Sequence, residues 1–390
     1  MTDLARQFRD FFVSLKLTVV LLALSIILIF VATLDQVHLG IWAVQQKYFQ
    51  TFFVLWKVGE VPIPVFPGGY FIGGLLLVNL LAAHAYRFKL AWRKSGILLT
   101  HLGLILLLVG QLLTGLWQQE YQMRLEEGET KNYAESYQNN ELAITNTTDP
   151  KFDDVVAIPE SLLAKSAEIQ HPKLPFRVVT RAYFPNSSPL EPRADGAPPS
   201  LATAGVGVRL ATSPVAVTYK PDERNIPAAY IELVGAEGSL GVWLVSEDPR
   251  LIPQHFTDPA GHTWKIALRA QRAYKPFSLT LLKFNHDIYA GTDIPKNFSS
   301  RIHLTTPDGR EDRNVLIYMN NPLRYAGLTF YQASFEKDND HVTILQVVRN
   351  PSWLLPYLAC GLMGLGLVIQ FGLHLFGFIG KRRAAVPVAT

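Results

Sequence analysis

The chain of 390 residues is 49% hydrophobic and only 17% charged, with a positive mean hydropathy, which excludes an ordinary soluble two-domain protein and places part of it in lipid. Its formal net charge of +4 does not argue for nucleic acid, because the basic residues cluster beside apolar runs. The one cysteine, Cys360, sits inside such a run and reads as a packing residue, which argues against thiol exchange; without a C-x-x-C-H the chain is not itself a c-type cytochrome.

Four runs are long and apolar enough to cross a hydrocarbon core of ~30 Å as helices. After a short basic segment, 1–16, the first is "LTVVLLALSIILIFVATL" at 17–34, longer than a signal-peptide core and without a cleavage site, so it reads as an anchor. A link at 35–67 leads to the second, 68–86, which contains Asn79 and His84. A basic link, 87–95, precedes the third, "GILLTHLGLILLLVGQLLTGLW" at 96–117, which contains His101. The fourth, 352–380, contains His374 and is followed by a tail, 381–390.

Lys and Arg beside the spans set their orientation. Arg6, Arg9 and Lys16 precede the first span, Arg87, Lys89, Arg93 and Lys94 join the second to the third, and Lys381 to Arg383 follow the fourth. The link 35–67 balances Lys47 and Lys57 against Asp35 and Glu60. Four spans with both termini in the cytoplasm satisfy every segment and put residues 118–351 outside. That block has 24 Lys and Arg against 28 Asp and Glu, so the basic charge of the whole chain reports membrane topology.

The block 118–351 reads as β structure. Runs such as "FRVVTRAYF", "AAYIELVG", "LGVWLVS", "TWKIALRAQRAY", "FSLTLLKF" and "VTILQVVR" are short and rich in β-branched and aromatic residues, with turn formers between many of them. The Pro- and Ser-rich segment 185–205 is the expected mobile loop or boundary between two β lobes. Six histidines, His171, His255, His262, His286, His303 and His341, lie in the block, but no H-x-x-x-H pair or G-x-S-x-G accompanies them, so hydrolase chemistry has no support.

Two features invite function. An imidazole in lipid is costly and turns toward a partner, so His84, His101 and His374 are each either a functional group or a tautomer satisfied by a backbone carbonyl or by Asn79, Thr100 or Gln370. His101 stands seven residues beyond Lys94, and His374 seven before Lys381, each about 10 Å along a helix from the basic side. The second feature is "MNNPLRYAGLTFYQASFE" at 319–336, a turn and two strand-like runs crowded with aromatics: either a hairpin with an aromatic core face or a contact surface.

The N-P-L-x-Y-x-G-x-x-F-Y-Q-x-S-F run there, with Asn321, Pro322, Tyr325, Gly327, Tyr331 and Gln332, resembles a hallmark of the ResB family of cytochrome c biogenesis membrane proteins. "KPFSLTLLKFNHDIYAGTDIPKNFSSRIHL" at 275–304, the amino end "SLKLTVVLLALSIILIFVATL" and "THLGLILLLVG" in the third span are similar to it too, whereas 135–270 match only in being β-like. The resemblance implies a multi-pass protein of a bacterial cytoplasmic (inner) membrane, with four transmembrane α-helices and a large, mainly-β extracytoplasmic domain. It further implies a subunit of the system II pathway, which helps export heme b and present it to apocytochrome c. Such a subunit is non-catalytic alone and works within a cytochrome c heme lyase (synthase) complex. The partner implied is a separate CcsA/ResC-type heme-handling membrane protein with a Trp-rich outer motif, which this chain lacks. His101 is then the expected axial ligand of heme iron, with His84 and His374 as further cofactor-binding candidates, although family members often lack a histidine at the place of His84. The alternative is a non-heme scaffold or chaperone for exported apocytochrome, which has no need of intramembrane histidines.

Overall fold

A computed structural model describes residues 3–59, 61–86, 91–166, 168–194, 196, 199–218, 225–289, 295–336 and 339–384. The basic-link residues Arg87 and Lys89, and Glu60, lie outside the described residues. The described residues divide into two compact units: one falls within 1–119 and 350–390, and the other within 120–218 and 225–349.

The first unit is helical. Helices α1 (Asp3–Phe12), α2 (Leu15–Val44), α3 (Gly69–Tyr86) and α4 (Ser95–Trp117) precede the second unit in the chain. A four-residue helix, α5 (Glu160–Leu163), lies within that second unit, and α6 (Leu355–Ala384) follows it. Among the described residues four helical segments are long and apolar enough to cross a membrane: 15–49, 69–86, 92–117 and 355–382. Helix α2 runs well past Leu34, where the first apolar run ends. It breaks its direction at Gly40, whose φ of 70° is left-handed, and continues into a π-helical turn at Gln45–Phe49. A polar bracket stabilises the break, with Lys47 Nζ and Tyr48 OH both donating to Asp35 Oδ2 at 2.6 and 2.8 Å. A hairpin of β1 (Phe53–Val58) and β2 (Val61–Pro67) completes the link, which is therefore ordered structure.

Two devices hold the helices. Buried Asn79 on α3 accepts from Thr18 Oγ1 at 2.6 Å and donates to the carbonyls of Phe12 and Ser14 at 2.7 and 3.2 Å, satisfying the backbone where α1 passes into α2. Between α4 and α6 the device is absence of side chain. Gly96, Gly103 and Gly110 recur every seven residues on one face of α4. A Cβ built on Gly103 would lie 2.5 Å from Met363 Cγ and 2.6 Å from the Ala359 carbonyl oxygen, and one on Gly96 2.5 Å from the Gly366 carbonyl oxygen. Where α6 begins, Ser352 Oγ lies 2.9 Å from Thr114 Oγ1, and Asn350 Nδ2 donates to Thr114 Oγ1 and Gln118 Oε1. Cys360 is exposed on α6 and fills no seam.

The second unit is built of β3 (Gln119–Glu126), β4 (Thr130–Asn146), β5 (Asp154–Pro159), β6 (Glu168–Ile169), β7 (Phe176–Phe184), β8 (Glu191–Pro192), β9 (Leu210–Ala211), β10 (Ala228–Gly235) and β11 (Gly238–Ser246). It continues with β12 (Gln254–Thr257), β13 (Thr263–Ile288), β14 (Pro295–Thr305), β15 (Asp312–Tyr318), β16 (Leu323–Tyr325), β17 (Leu328–Glu336) and β18 (Asn339–Arg349). A ten-stranded sheet runs β15-β14-β13-β4-β3-β18-β17-β16, with β12 beside β13 and β5 beside β4, and a four-stranded sheet runs β11-β10-β7-β6.

The long strands β4 and β13 serve two cores. Leu142 and Ile144 of β4 and Trp264, Ile266 and Leu268 of β13 pack with Phe176, Ile231 and Val245 of the four-stranded sheet. Farther along the same strands, Ala134, Phe277, Leu279 and Leu281 pack with Met123, Ile302, Phe330 and Leu345. The change of core coincides with register shifts between Ala270 and Arg272 and between Tyr274 and Leu279, the second spanning Pro276, which cannot donate to the ladder.

The boundary between lobes thus runs through paired strands and not through 185–205, whose described part is held down. Leu190 and Ala202 are buried with Tyr230 and Leu244, and Asn186 binds the chain at Ala216 and Ile226. Asp248 tethers the same segment by accepting from the backbone of Leu190 at 2.9 Å and from Arg250. The Arg250 guanidinium beside it holds this carboxyl well below the usual carboxylate range. A depressed carboxylate contributes stability above its unfolded pKa of ~3.9 and loses it as pH falls through the folded value. Asp248→Asn should therefore lower the melting temperature at pH 7, by the equivalent of about 2 kcal/mol, and differ less from wild type as the pH is taken below ~3.

Candidate functional site

His84, His101 and His374 divide into a pair and a solitary one. His84 lies in the last turn of α3 and His101 in the second turn of α4. His101 Nδ1 is 3.0 Å from His84 Nε2, with the rings 4.8 Å apart between centroids and inclined at 86°. His84 Nδ1 is in turn 2.9 Å from the carbonyl oxygen of Leu80, one turn back on its own helix. By helical rotation His101 stands about 140° around α4 from Gly96, so α4 presents its glycine face to α6 and its histidine to α3.

His374 is elsewhere. It is exposed on α6, and its Nε2 is 3.0 Å from Gln370 Nε2, whose amide donates to it. Of the polar neighbours weighed as partners, Gln370 serves His374, Asn79 serves the junction of α1 and α2, and Thr100 donates to the Gly96 carbonyl.

The motif residues form a packed hairpin. Asn321 and Tyr318 exchange backbone hydrogen bonds of 2.9 and 3.3 Å. This closes the turn before Pro322 and β16. Tyr325 pairs with Leu328 across a two-residue turn in which Ala326 and Gly327 both have positive φ, the geometry of a type I′ hairpin. Tyr325 and Phe330 both pack on Phe277. Gln332 completes a polar staple inside the sheet: Ser300 Oγ donates to its Oε1 at 2.6 Å, and its Nε2 donates to Thr343 Oγ1 at 2.9 Å. Ser300 and Thr343 are fully buried and lie 2.9 Å apart, so the three side chains form one mutually satisfied cluster to which Gln332 contributes two bonds. Gln332→Ala should cost about 1–3 kcal/mol in thermal or denaturant unfolding. Tyr331 directs its ring outward from β17, and Tyr331→Phe should leave the melting curve unchanged.

The histidines of the second unit are mostly engaged locally. His262 meets Asp258, His303 meets Asn314, His341 meets Glu127, and His286 packs against Phe298 and Phe335. Among the described residues no group of three or more His, Cys, Asp or Glu side chains is placed to hold a metal ion. The histidine pair could thus supply iron with an axial ligand from one ring nitrogen but could not enclose a bare ion.

Residues 250–344, from just before β12 into β18, match the ResB-like family. Protein NrfI of Wolinella succinogenes is 30% identical over 149 residues, which cover 35% of this chain and 16% of that protein. The chain therefore spans about a sixth of the length of that curated relative. The family match lies in the β-rich unit and takes in the hairpin and the Gln332 staple; the histidine pair lies outside it. For the motifs at 275–304 and 319–336 the resemblance is borne out: both lie within the residues that match the ResB-like family.

Proposed function

We propose that this chain is the ResB-like subunit of a system II cytochrome c biogenesis complex, in which it helps move heme b across the membrane and present it to apocytochrome c for attachment. The ResB-like match and the similarity to NrfI support the biogenesis role, and the four apolar helices support a membrane-embedded subunit. The basic residues beside the spans support a cytoplasmic-membrane orientation with the β-rich unit outside. A CcsA/ResC-type protein is the partner of this reading, since the chain has only seven Trp and no Trp-rich motif.

The heme part rests on one observation, the pairing of His101 with His84. A backbone carbonyl and a second imidazole satisfy the inner nitrogens of the pair, while no described residue engages His101 Nε2. A neutral imidazole with an unengaged nitrogen in an apolar setting fits heme iron as an axial ligand. In this reading heme is cargo, loaded toward the cytoplasmic side and passed outward. Purifying the chain with its partner should give a preparation with a Soret band and low-spin visible bands. A heme-free preparation that still matures cytochrome c in a strain lacking the native chain would leave the scaffold reading.

A further inference from the structure

We propose that His84 is the positioning residue of the iron site and not a ligand in it: it fixes the tautomer and the ring orientation of His101. The proposal rests on the reading that His101 binds heme iron, but the hydrogen-bond relay behind it exists without heme.

A carbonyl oxygen has no proton to give, so the 2.9 Å contact with Leu80 requires the proton of His84 to be on Nδ1. In a neutral pair each imidazole has a single N–H. His84 Nε2 is then a bare acceptor. The 3.0 Å contact with it requires His101 Nδ1 to be the donor. The protons therefore point one way along the relay, from His101 Nδ1 to His84 Nε2 and from His84 Nδ1 to the Leu80 oxygen. The one nitrogen left with an unused lone pair is His101 Nε2.

Three consequences follow for iron. The ligand nitrogen is chosen in advance, because His101 cannot place its proton on Nε2 without breaking the contact with His84. The orientation of a ring on α4 is set from α3, through a backbone atom that no side-chain substitution removes. Donation from Nδ1–H also makes Nε2 a stronger base, as a partner behind a metal-bound histidine does. His84 itself has both ring nitrogens committed, and the nitrogen it would offer iron is the one that holds His101. The signal in sequence was weak, because the two histidines lie 17 positions apart and each reads as an independent ligand candidate.

The test has two arms. Nitrogen-15 spectra of the heme-free, histidine-labelled full chain with its partner should report His101 protonated on Nδ1 and bare on Nε2, with His84 in the same tautomer. His101 protonated on Nε2 overturns the relay whatever heme does. In the heme-loaded complex, His84→Ala should weaken heme retention by about 10- to 100-fold and shift the midpoint potential while leaving a histidine-ligated spectrum. His84→Gln, whose amide oxygen can accept from His101 Nδ1, should recover most of the retention. Conversion of the spectrum by His84→Ala to that of a complex lacking one axial ligand would make His84 a ligand and overturn the proposal. Should His101→Ala leave heme content and spectrum unchanged, the ligand reading fails separately, and the nitrogen spectra still decide the relay.

Discussion

His101→Ala should strip most heme from the purified complex and abolish cytochrome c maturation, while the protein accumulates in the membrane at close to the wild-type level. The imidazole lies on the side of α4 away from the glycine seam, so its removal leaves the packing of α4 on α6 intact and frees only an acceptor on His84. On the proposed reading, what is lost is an iron–nitrogen bond. Imidazole added to the growth medium or the purification should partly restore both heme and maturation by occupying the space left by the side chain. His374→Ala should do far less, since His374 is exposed and its hydrogen bond to Gln370 ties it to its own helix. Full heme content with an unaltered spectrum in His101→Ala would remove the ligand assignment.

Gly103→Leu should have the opposite profile, with loss of the protein itself. The first carbon of the new side chain would stand inside contact distance of the Ala359 carbonyl oxygen, which belongs to the backbone of α6 and cannot rotate away. Relief requires the helices to part, and parting also exposes Gly96 and Gly366, whose backbones meet on the same face. Overpacking of this kind costs about 1–3 kcal/mol or more. Lost accumulation in membranes and early melting in detergent are the expected readings. Gly361→Leu and Gly364→Leu on α6 are the controls, because nothing lies within 4 Å of a Cβ at either position. Normal accumulation and melting of Gly103→Leu would mean that the seam is not packed as described.

What the sequence discloses depends on the range of the interaction. Apolar length is local, and each of the four apolar runs lies largely within a helix. The end of the first run was misleading, because Asp35, Gln36 and His38 are polar yet helical, and the bond that stabilises their turn comes from Lys47 and Tyr48 farther along. Strand chemistry is also local, and "FRVVTRAYF" and "AAYIELVG" appear as neighbouring strands. Composition failed at 185–205, where proline and serine suggest mobility. Leu190, Asn186 and Asp248 anchor that stretch through partners 30 to 58 positions away, which no window of composition contains. The same limit hid the histidine pair: the depth of each residue was readable, but their meeting is tertiary. The glycines of α4 could have been read as a seam from their spacing of seven, a signal that their apolar neighbours obscured.

The sharing of β4 and β13 between two cores bears on how this polypeptide can be divided. The stretch that matches the ResB-like family begins at residue 250, yet β13 within it takes its pairing partner from β4, more than a hundred residues earlier. Cut out alone, that stretch would expose one edge of its longest strand from Trp264 to Thr280, an open template for association with other chains. The matched piece is therefore not a unit of folding. The smallest excisable part runs from the start of β3 to the end of β18, and a change that melts either core removes support from strands that the other core needs, so the two should be lost in one cooperative step.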